Sequence, residues 1–438
     1  MKAVTISILM ALCVVLVLPA AAQTGLEPFR EIITDYYADP YQVNISTMPP
    51  LSSIPLDDPS DGINWTIVDL PKPCVSGDGG KTFVMVSRGS SNNLLIYLEG
   101  GGACSDYITC KLTPSVTTLN ATNCGYCNLA FFGIFDKANP LNPFRNWTIV
   151  YIPYSTGDVH SGNRVMKYYN YTSNPNENIT VYHVGFVNSV VTMRWLANQS
   201  SFDKIALAGS SAGGYGTIAN FYAARTIFNK SLVVINDAGP GLSSKVIPQF
   251  MYETTNVTWG YYQNFPTPAL QYVKDGELLY VVQYVFDTFN NDSLYCLYEN
   301  QQDYVIGTQF LGYEPNDFRE VLLNVTSEIK ANYPDNFCRY LPLGLSHTIL
   351  ASPEFYTLTT YGVPVYQWVA DLLNYQISDV IAIPGDLNGD SSVNFDDLIS
   401  TLNLILTGSY DINADIDLNG LINFDDLIGV LNIILAGG

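Results

Sequence analysis

The stretch from 205 to 227 constrains this chain most. An apolar run at 205–208 leads into Gly209-Ser210-Ser211-Ala212-Gly213-Gly214, and a helix-like segment opens near Gly216. A G-x-S-x-G sequence between a strand and a helix makes a sharp turn. Glycines must flank the serine, because a Cβ there would strike the neighbouring strand or helix. Such a turn lifts the Ser211 hydroxyl above a sheet edge and aims the Ala212 amide at a developing oxyanion. A plain turn of small residues is the competing reading, so the surroundings decide.

Those surroundings alternate. Apolar runs ending at Gly, Asp or Pro lie at 94–98, 148–152, 205–208, 232–235 and 279–282, and read as buried parallel strands. Helix-like stretches at 187–197 and 216–227 separate them. The pattern predicts an α/β fold: a mostly parallel sheet with helices on both faces. In such sheets chemistry gathers in loops at the carboxyl ends of strands. Asn-Trp-Thr-Ile-Val occurs at both 64–68 and 146–150 and reads as two coincident strand starts.

Further polar clusters fall in those loops. Leu98-Glu99-Gly100-Gly101-Gly102-Ala103-Cys104 closes an upstream strand. Amides in a glycine run can approach a substrate unobstructed, so Gly101 and Gly102 are candidate oxyanion donors beside Ala212. A phosphate-binding loop would need a closing Lys-Ser/Thr, which is absent. Of the three histidines, His160, His183 and His347, only His347 follows Ser211, as the order Ser, acid, His requires. His347 is therefore the candidate base. His160 could line a pocket, and His183 is expected to satisfy a hydrogen bond within the sheet. The acid must accept the imidazole N–H. Asp287, ending a strand expected over 279–286, and Asp237, in Ile235-Asn236-Asp237-Ala238-Gly239, both lie between Ser211 and His347, and the residues alone leave both open.

Charge narrows the function class. Asp and Glu number 40 against 19 Lys and Arg, for a net charge of −21, yet charged residues are only 13% of the chain and hydrophobic ones 47%. That combination excludes a disordered acidic protein. A pI near 4.3 argues against nucleic acid or an anionic membrane as partner. Residues 385–438 hold nine Asp and no Glu, Lys or Arg. This tail also contains a repeat of period 29: 386–397 and 415–426 each carry an acidic loop, followed by apolar helix-like stretches at 398–406 and 427–435.

The amino terminus reads as a targeting segment. Lys2, an apolar run from Ile6 to Leu18, and Pro19-Ala20-Ala21-Ala22-Gln23 describe a secretory signal peptide over 1–22, cut after Ala22. The run is short for a membrane anchor, which needs ~20 apolar residues. An exported chain meets an oxidising compartment. Close spacing then suggests Cys104 with Cys110, Cys124 with Cys127 and Cys296 with Cys338, leaving Cys74 over, although sequence does not fix connectivity. Zinc is the rival reading, but the histidines lack ligand spacing near these cysteines. Eleven N-x-Ser/Thr sequons stand at Asn44, Asn64, Asn120, Asn146, Asn170, Asn178, Asn198, Asn229, Asn256, Asn291 and Asn324. Chance gives roughly five. N-glycosylation and an Asn/Thr-rich bacterial surface protein both account for the excess.

Taken together and in order, segments 98–104, 153–160, 209–214, 282–287 and 346–348 resemble the pectin acetylesterase/Notum family of α/β-hydrolases over roughly 60–375. The resemblance implies Ser211 as nucleophile, His347 as base, and Gly101, Gly102 and Ala212 in the oxyanion hole. It also implies Asp287 as acid, since Tyr284-Val285-Phe286-Asp287 matches the family's aspartate-bearing segment. The chain departs from plant members at Ser210 and at His347-Thr348-Ile349, where they carry cysteines. The implied activity is that of a secreted carboxylic ester hydrolase, removing O-acetyl groups from plant cell-wall polysaccharide, pectin first, with no cofactor in catalysis. A Notum-like deacylase of lipid or other acyl esters, and a non-catalytic carbohydrate-binding protein, are the alternatives.

The tail resembles a type I dockerin, a duplicated calcium-loop–helix module. The resemblance implies two structural Ca²⁺ ions held through loop positions 1, 3, 5, 9 and 12. These are Asp386, Asn388, Asp390, Asn394 and Asp397, then Asp415, Asp417, Asn419, Asn423 and Asp426, with backbone carbonyls of Ser392 and Leu421 at position 7. A cohesin-bearing scaffold would be the partner. The expected organisation is an esterase domain at 23–375, a short linker at 376–384 and the dockerin-like module at 385–438, in an extracellular monomer.

Overall fold

A strand with no polar face must be covered on both sides. In a computed structural model, six strands are buried along their whole length. The structure describes residues 29–437 except 113–118, 121–130, 173, 175, 200 and 246–253. The expected signal segment and the expected pairing of Cys124 with Cys127 lie outside the described residues.

In chain order the strands are β1 (Arg30–Thr34), β2 (Thr66–Asp69), β3 (Phe83–Ser87), β4 (Leu94–Leu98), β5 (Thr148–Ile152), β6 (Arg164–Tyr169) and β7 (Asn178–His183). They continue with β8 (Ile205–Ser210), β9 (Val233–Asp237), β10 (Leu294–Tyr298), β11 (Phe337–Leu341), β12 (Thr359–Thr360), β13 (Val363–Pro364) and β14 (Val380–Ile381). Nine form one sheet in the order β14-β11-β10-β9-β8-β4-β5-β3-β2. Pairing is parallel from β14 to β5, and antiparallel from β5 to β3 and from β3 to β2. β1, β6 and β7 make a smaller antiparallel sheet. From β4 the chain winds outward to β5, and from β8 it winds the other way through β9, β10 and β11. The order therefore reverses between β4 and β8, where sheets of this kind place a crevice beyond the carboxyl ends of the strands. Leu98 pairs with Gly209, so both strands end level there.

Seven helices accompany the sheets among the described residues: α1 (Gly185–Ala197), α2 (Ala212–Phe228), α3 (Val281–Thr288), α4 (Pro315–Asn332), α5 (Val365–Leu372), α6 (Phe395–Thr407) and α7 (Phe424–Ala436). Side chains alternate across a strand, so Leu94, Ile96 and Leu98 enter one core with α1 to α4, while Leu95 and Tyr97 enter the other with Trp368 and Val369 of α5. The predicted α/β layering is observed. Both copies of the repeated pentapeptide enter a strand at their threonine, Thr66 and Thr148.

Two expectations change, and two strands arrive that no pattern foretold. Residues 279–286 are not a strand: Leu278–Tyr280 is a 3₁₀ turn that runs into α3. As a helix the segment buries Val281, Val282, Val285 and Phe286 on one face, at roughly 1.5–3 kcal/mol each; a strand would send Val285 and Phe286 to opposite sides. Strands β10 and β11 carry no expectation, because tyrosine, cysteine and arginine dilute LYCLY and FCRYL. The segment read as a linker at 376–384 holds β14, which pairs with the free edge of β11. Disulfides join Cys104 to Cys110 and Cys296 to Cys338, the latter directly across β10 and β11. Cys74 is buried and free. Among the sequons, Asn170 is buried, and its amide donates to Glu177.

Candidate functional site

Ser211 occupies φ 56°, ψ −118°, between the end of β8 and the first residue of α2. A non-glycine residue held there costs about 1–3 kcal/mol and persists only where the surroundings enforce it. The flanking glycines are obligatory. A Cβ on Gly209 would lie 2.3 Å from the Gly213 carbonyl oxygen, and one on Gly213 would lie 1.9 Å from that of Leu98. Ala212 opens α2, so its amide belongs to the first turn, where N–H groups have no partner inside the helix.

The glycine run after β4 lies against this turn. A Cβ on Gly100 would meet the Ser210 carbonyl oxygen at 2.6 Å and the Ser211 Cβ at 3.2 Å. Gly101 and Gly102 adopt φ 153° and 78°. Tyr154 Oη donates to the Gly102 carbonyl at 2.8 Å, and His160 Nε2 to that of Glu99 at 2.8 Å. Burial pushes the His160 pKa down to about 4, so the ring is neutral and acts as a strut under the run. His183 behaves as expected: its Nδ1 donates to the Thr156 carbonyl and its Nε2 accepts from Tyr168 Oη on β6, each at 2.8 Å.

His347 Nδ1 donates to Asp303 Oδ2 at 2.7 Å. Asp303 is fully buried, and its Oδ1 accepts the Ile306 amide at 2.9 Å. His347 Nε2 is shut off from solvent and has no hydrogen-bond partner among the described residues. One nitrogen is thus fixed and the other free, as a general base requires. Asp287, expected in the acid position, stands elsewhere. It lies on the exposed side of α3, and its carboxylate accepts Tyr272 Oη at 2.5 Å and Tyr333 Oη at 2.7 Å. The helical period of 281–288 turns it away from the strand ends. Asp303 follows β10 in Glu299-Asn300-Gln301-Gln302-Asp303, a polar loop closing an apolar run between Ser211 and His347. That was the signal to find it by.

Asp237, the other acid weighed, ties the parts together. Its carboxylate accepts Ser210 Oγ, the Ile349 amide at 2.9 Å and the Leu350 amide at 2.9 Å. Its carbonyl accepts the Ser211 amide at 2.7 Å. The nucleophile turn and the loop after His347 are therefore pinned to one residue. Burial raises the Asp237 pKa to about 6, with the Ser210, Leu350 and Ile349 hydrogen bonds and the nearby His347 opposing the rise.

In the tail, each acidic loop folds onto its own carboxylates. Asp386 accepts the Gly389 and Ser391 amides, and Asp397 those of Leu387 and Asn394. Asp415 accepts the Asn419 and Gly420 amides, and Asp426 those of Ile416 and Asn423. These four carboxylates are buried. Oxygens of Asp415, Asp417 and Asp426 lie within 4.8 Å of one another. Asn394 and Asn423 cap α6 and α7.

A mostly parallel sheet with its order reversing at β4/β8, and a strained serine turn at that point, define an α/β protein of the hydrolase type. The family model described as Pectinacetylesterase matches residues 60–291, more than half of the chain. The chain belongs to the pectinacetylesterase family. Pectin acetylesterase 4 of Arabidopsis thaliana is 30% identical over 185 residues, 41% of this chain and 44% of that protein. Pectin acetylesterase 11 of the same plant is 25% identical over 230 residues, covering 50% and 57%. Palmitoleoyl-protein carboxylesterase NOTUM of Schmidtea mediterranea is 28% identical over 146 residues, covering 32% and 26%. The matches thus span about half the length of the curated relatives or less. The fold resembles that of the Wnt deacylase Notum from Drosophila, with a TM-score of 0.52 at 15% identity over 73% of this chain and 96% of that one. The family span holds Ser211 and the glycine run but ends before Asp303 and His347.

Proposed function

We propose that this chain is a secreted serine carboxylesterase that removes O-acetyl groups from pectin. The observation that carries the reading is His347, held at Nδ1 by Asp303 and free at Nε2, on a loop anchored to the same Asp237 that anchors the Ser211 turn. His347 Nε2 takes the Ser211 proton as Oγ attacks the ester carbonyl. The Ala212 amide and those of Gly101 and Gly102 hold the oxyanion, at typically 2.7–4 kcal/mol per donor. The protonated imidazole, stabilised by Asp303, returns its proton to the departing sugar oxygen and leaves an acetyl group on Ser211. Water, deprotonated by the same Nε2, then releases acetate and restores the serine.

Substrate choice rests on the family and on its plant relatives named pectin acetylesterases. A longer acyl chain, as the relative named palmitoleoyl-protein carboxylesterase suggests, is the competing substrate.

The tail supports a second role. Its buried Asp386, Asp397, Asp415 and Asp426 stand in a segment without Lys or Arg, so a bound cation supplies the missing countercharge. Asp386, Asn388, Asp390, Asn394 and Asp397, and Asp415, Asp417, Asn419, Asn423 and Asp426, would hold one Ca²⁺ each, with the Ser392 and Leu421 carbonyls. Phe395, Ile399 and Leu406 on α6, and Phe424, Ile428 and Leu435 on α7, are exposed at matching repeat positions and suit a cohesin-type scaffold protein.

Acetate release from acetylated pectin, acetylated xylan and longer-chain p-nitrophenyl esters tests the reading. Ser211→Ala is expected to abolish release from all of them while the tail still binds calcium. Unchanged release in that variant would sink the mechanism.

A further inference from the structure

The loop that carries Asp303 begins with a second carboxyl group. Glu299 follows the last residue of β10, is fully buried, and has both carboxyl oxygens shut off from solvent with no conventional hydrogen-bond donor among the described residues. Its main chain is fixed, the amide donating to the Tyr340 carbonyl of β11 at 3.1 Å. Its carboxyl lies within side-chain hydrogen-bonding reach of the Asp303 carboxyl and beside the Asn300 amide. The other groups facing it are Asp237 at the end of β9, Tyr215 on α2 and Tyr298 on its own strand.

Two ionised carboxylates cannot share a buried site; one keeps a proton. The donors decide which. Asp303 already receives the His347 Nδ1 proton on Oδ2 and the Ile306 amide on Oδ1. Glu299 has only the nearby Asn300 amide, which forms no regular hydrogen bond to it. We propose that Glu299 is the protonated member of the pair and donates its O–H to Asp303, making it a positioning residue that aims the Asp303 carboxylate at His347. The inference rests on Ser211, Asp303 and His347 being the reacting triad. Burial and the neighbouring Asp303 and Asp237 charges all push the Glu299 pKa well above the ordinary carboxyl range, which agrees with the geometry. The chemistry follows directly. A neutral donor orients Asp303 without adding a second charge that would hold the proton on His347 and starve Ser211 of its base.

The test uses the full chain with p-nitrophenyl acetate, reading kcat, KM and the acid limb of kcat/KM against pH. Glu299→Leu removes the donor and is expected to lower kcat by about 10- to 100-fold with KM unchanged. Glu299→Gln keeps an N–H donor and is expected to restore kcat to within about threefold, with the acid limb within about 0.3 pH of wild type. If Glu299 were ionised instead, Gln would remove a negative charge near His347 and move the acid limb down by about one pH or more. That shift, or wild-type kcat in Glu299→Leu, overturns the inference. The acid limb of the Gln variant keeps the test valid should the Leu variant fail to fold. Asp303→Asn separates the two levels: a fully active Asp303→Asn overturns the triad reading itself, whereas an inactive one beside a fully active Glu299→Leu overturns Glu299 alone.

Discussion

Asp287 and Asp303 stand sixteen positions apart and offer the same functional group, so substitution separates them cleanly. Asp303→Asn is expected to cut kcat by about 10⁴-fold, because the amide favours the wrong imidazole tautomer and cannot stabilise the imidazolium. Asp287→Asn is expected to leave kcat within about twofold and to weaken only the exposed hydrogen bonds from Tyr272 and Tyr333, at roughly 0.5–1.5 kcal/mol each. Acetate release and thermal unfolding of the two variants measure this, and the reverse ranking would return the acid role to Asp287. Ser211 was legible because its turn demands glycines at fixed offsets. His347 was legible because no other histidine follows Ser211. The carboxylate that meets His347 was not: an aspartate after an apolar run is common, and 279–286 satisfies that description as well as 294–298 does.

At the scale of elements, local sequence named strands where the apolar run is pure and failed where it is mixed. Leu94–Leu98 and Thr148–Ile152 are the pure kind, broken only by the Thr148 hydroxyl and the tips of Tyr97 and Tyr151. LYCLY and FCRYL form β10 and β11 where strands pair along both of their edges, and Arg339 within β11 is buried and pairs with Asp379 at 2.6 Å. Their disulfide, Cys296 to Cys338, closes a sequence separation of 42 and joins the strand leading to Asp303 with the strand leading to His347. Loop-closure entropy sets its contribution at about 4 kcal/mol. Replacing both cysteines with alanine is therefore expected to lower the melting temperature by several degrees and to reduce kcat more than removal of Cys104 and Cys110, whose separation is 6. Equal effects of the two double variants would count against a link between this disulfide and the catalytic loops.

Over the whole molecule, two charge regimes meet. The tail of 385–438 holds nine aspartates without a basic residue, and four of them are buried. Chelating calcium is expected to unfold α6 and α7, 13 residues each, a loss visible by circular dichroism, while acetate release stays within about twofold. Unchanged helicity after exhaustive chelation would remove calcium from the account of the tail. The tail is not freely tethered: β14 belongs to the large sheet, and the Tyr361 hydroxyl accepts the Ile383 amide at 2.8 Å just before the first acidic loop. Sequence alone determined the α/β alternation, the serine turn and the repeated acidic loops, and singled out His347 as the candidate base, since each is written in residues close together along the chain or fixed by their order. Only the tertiary structure decided which carboxylate meets His347, that Asp237 joins the Ser211 turn to the loop after His347, and that Glu299 lies buried beside Asp303. Those are contacts between strand ends far apart in sequence, set by the order in which strands assemble in the sheet, and no local pattern encodes that order.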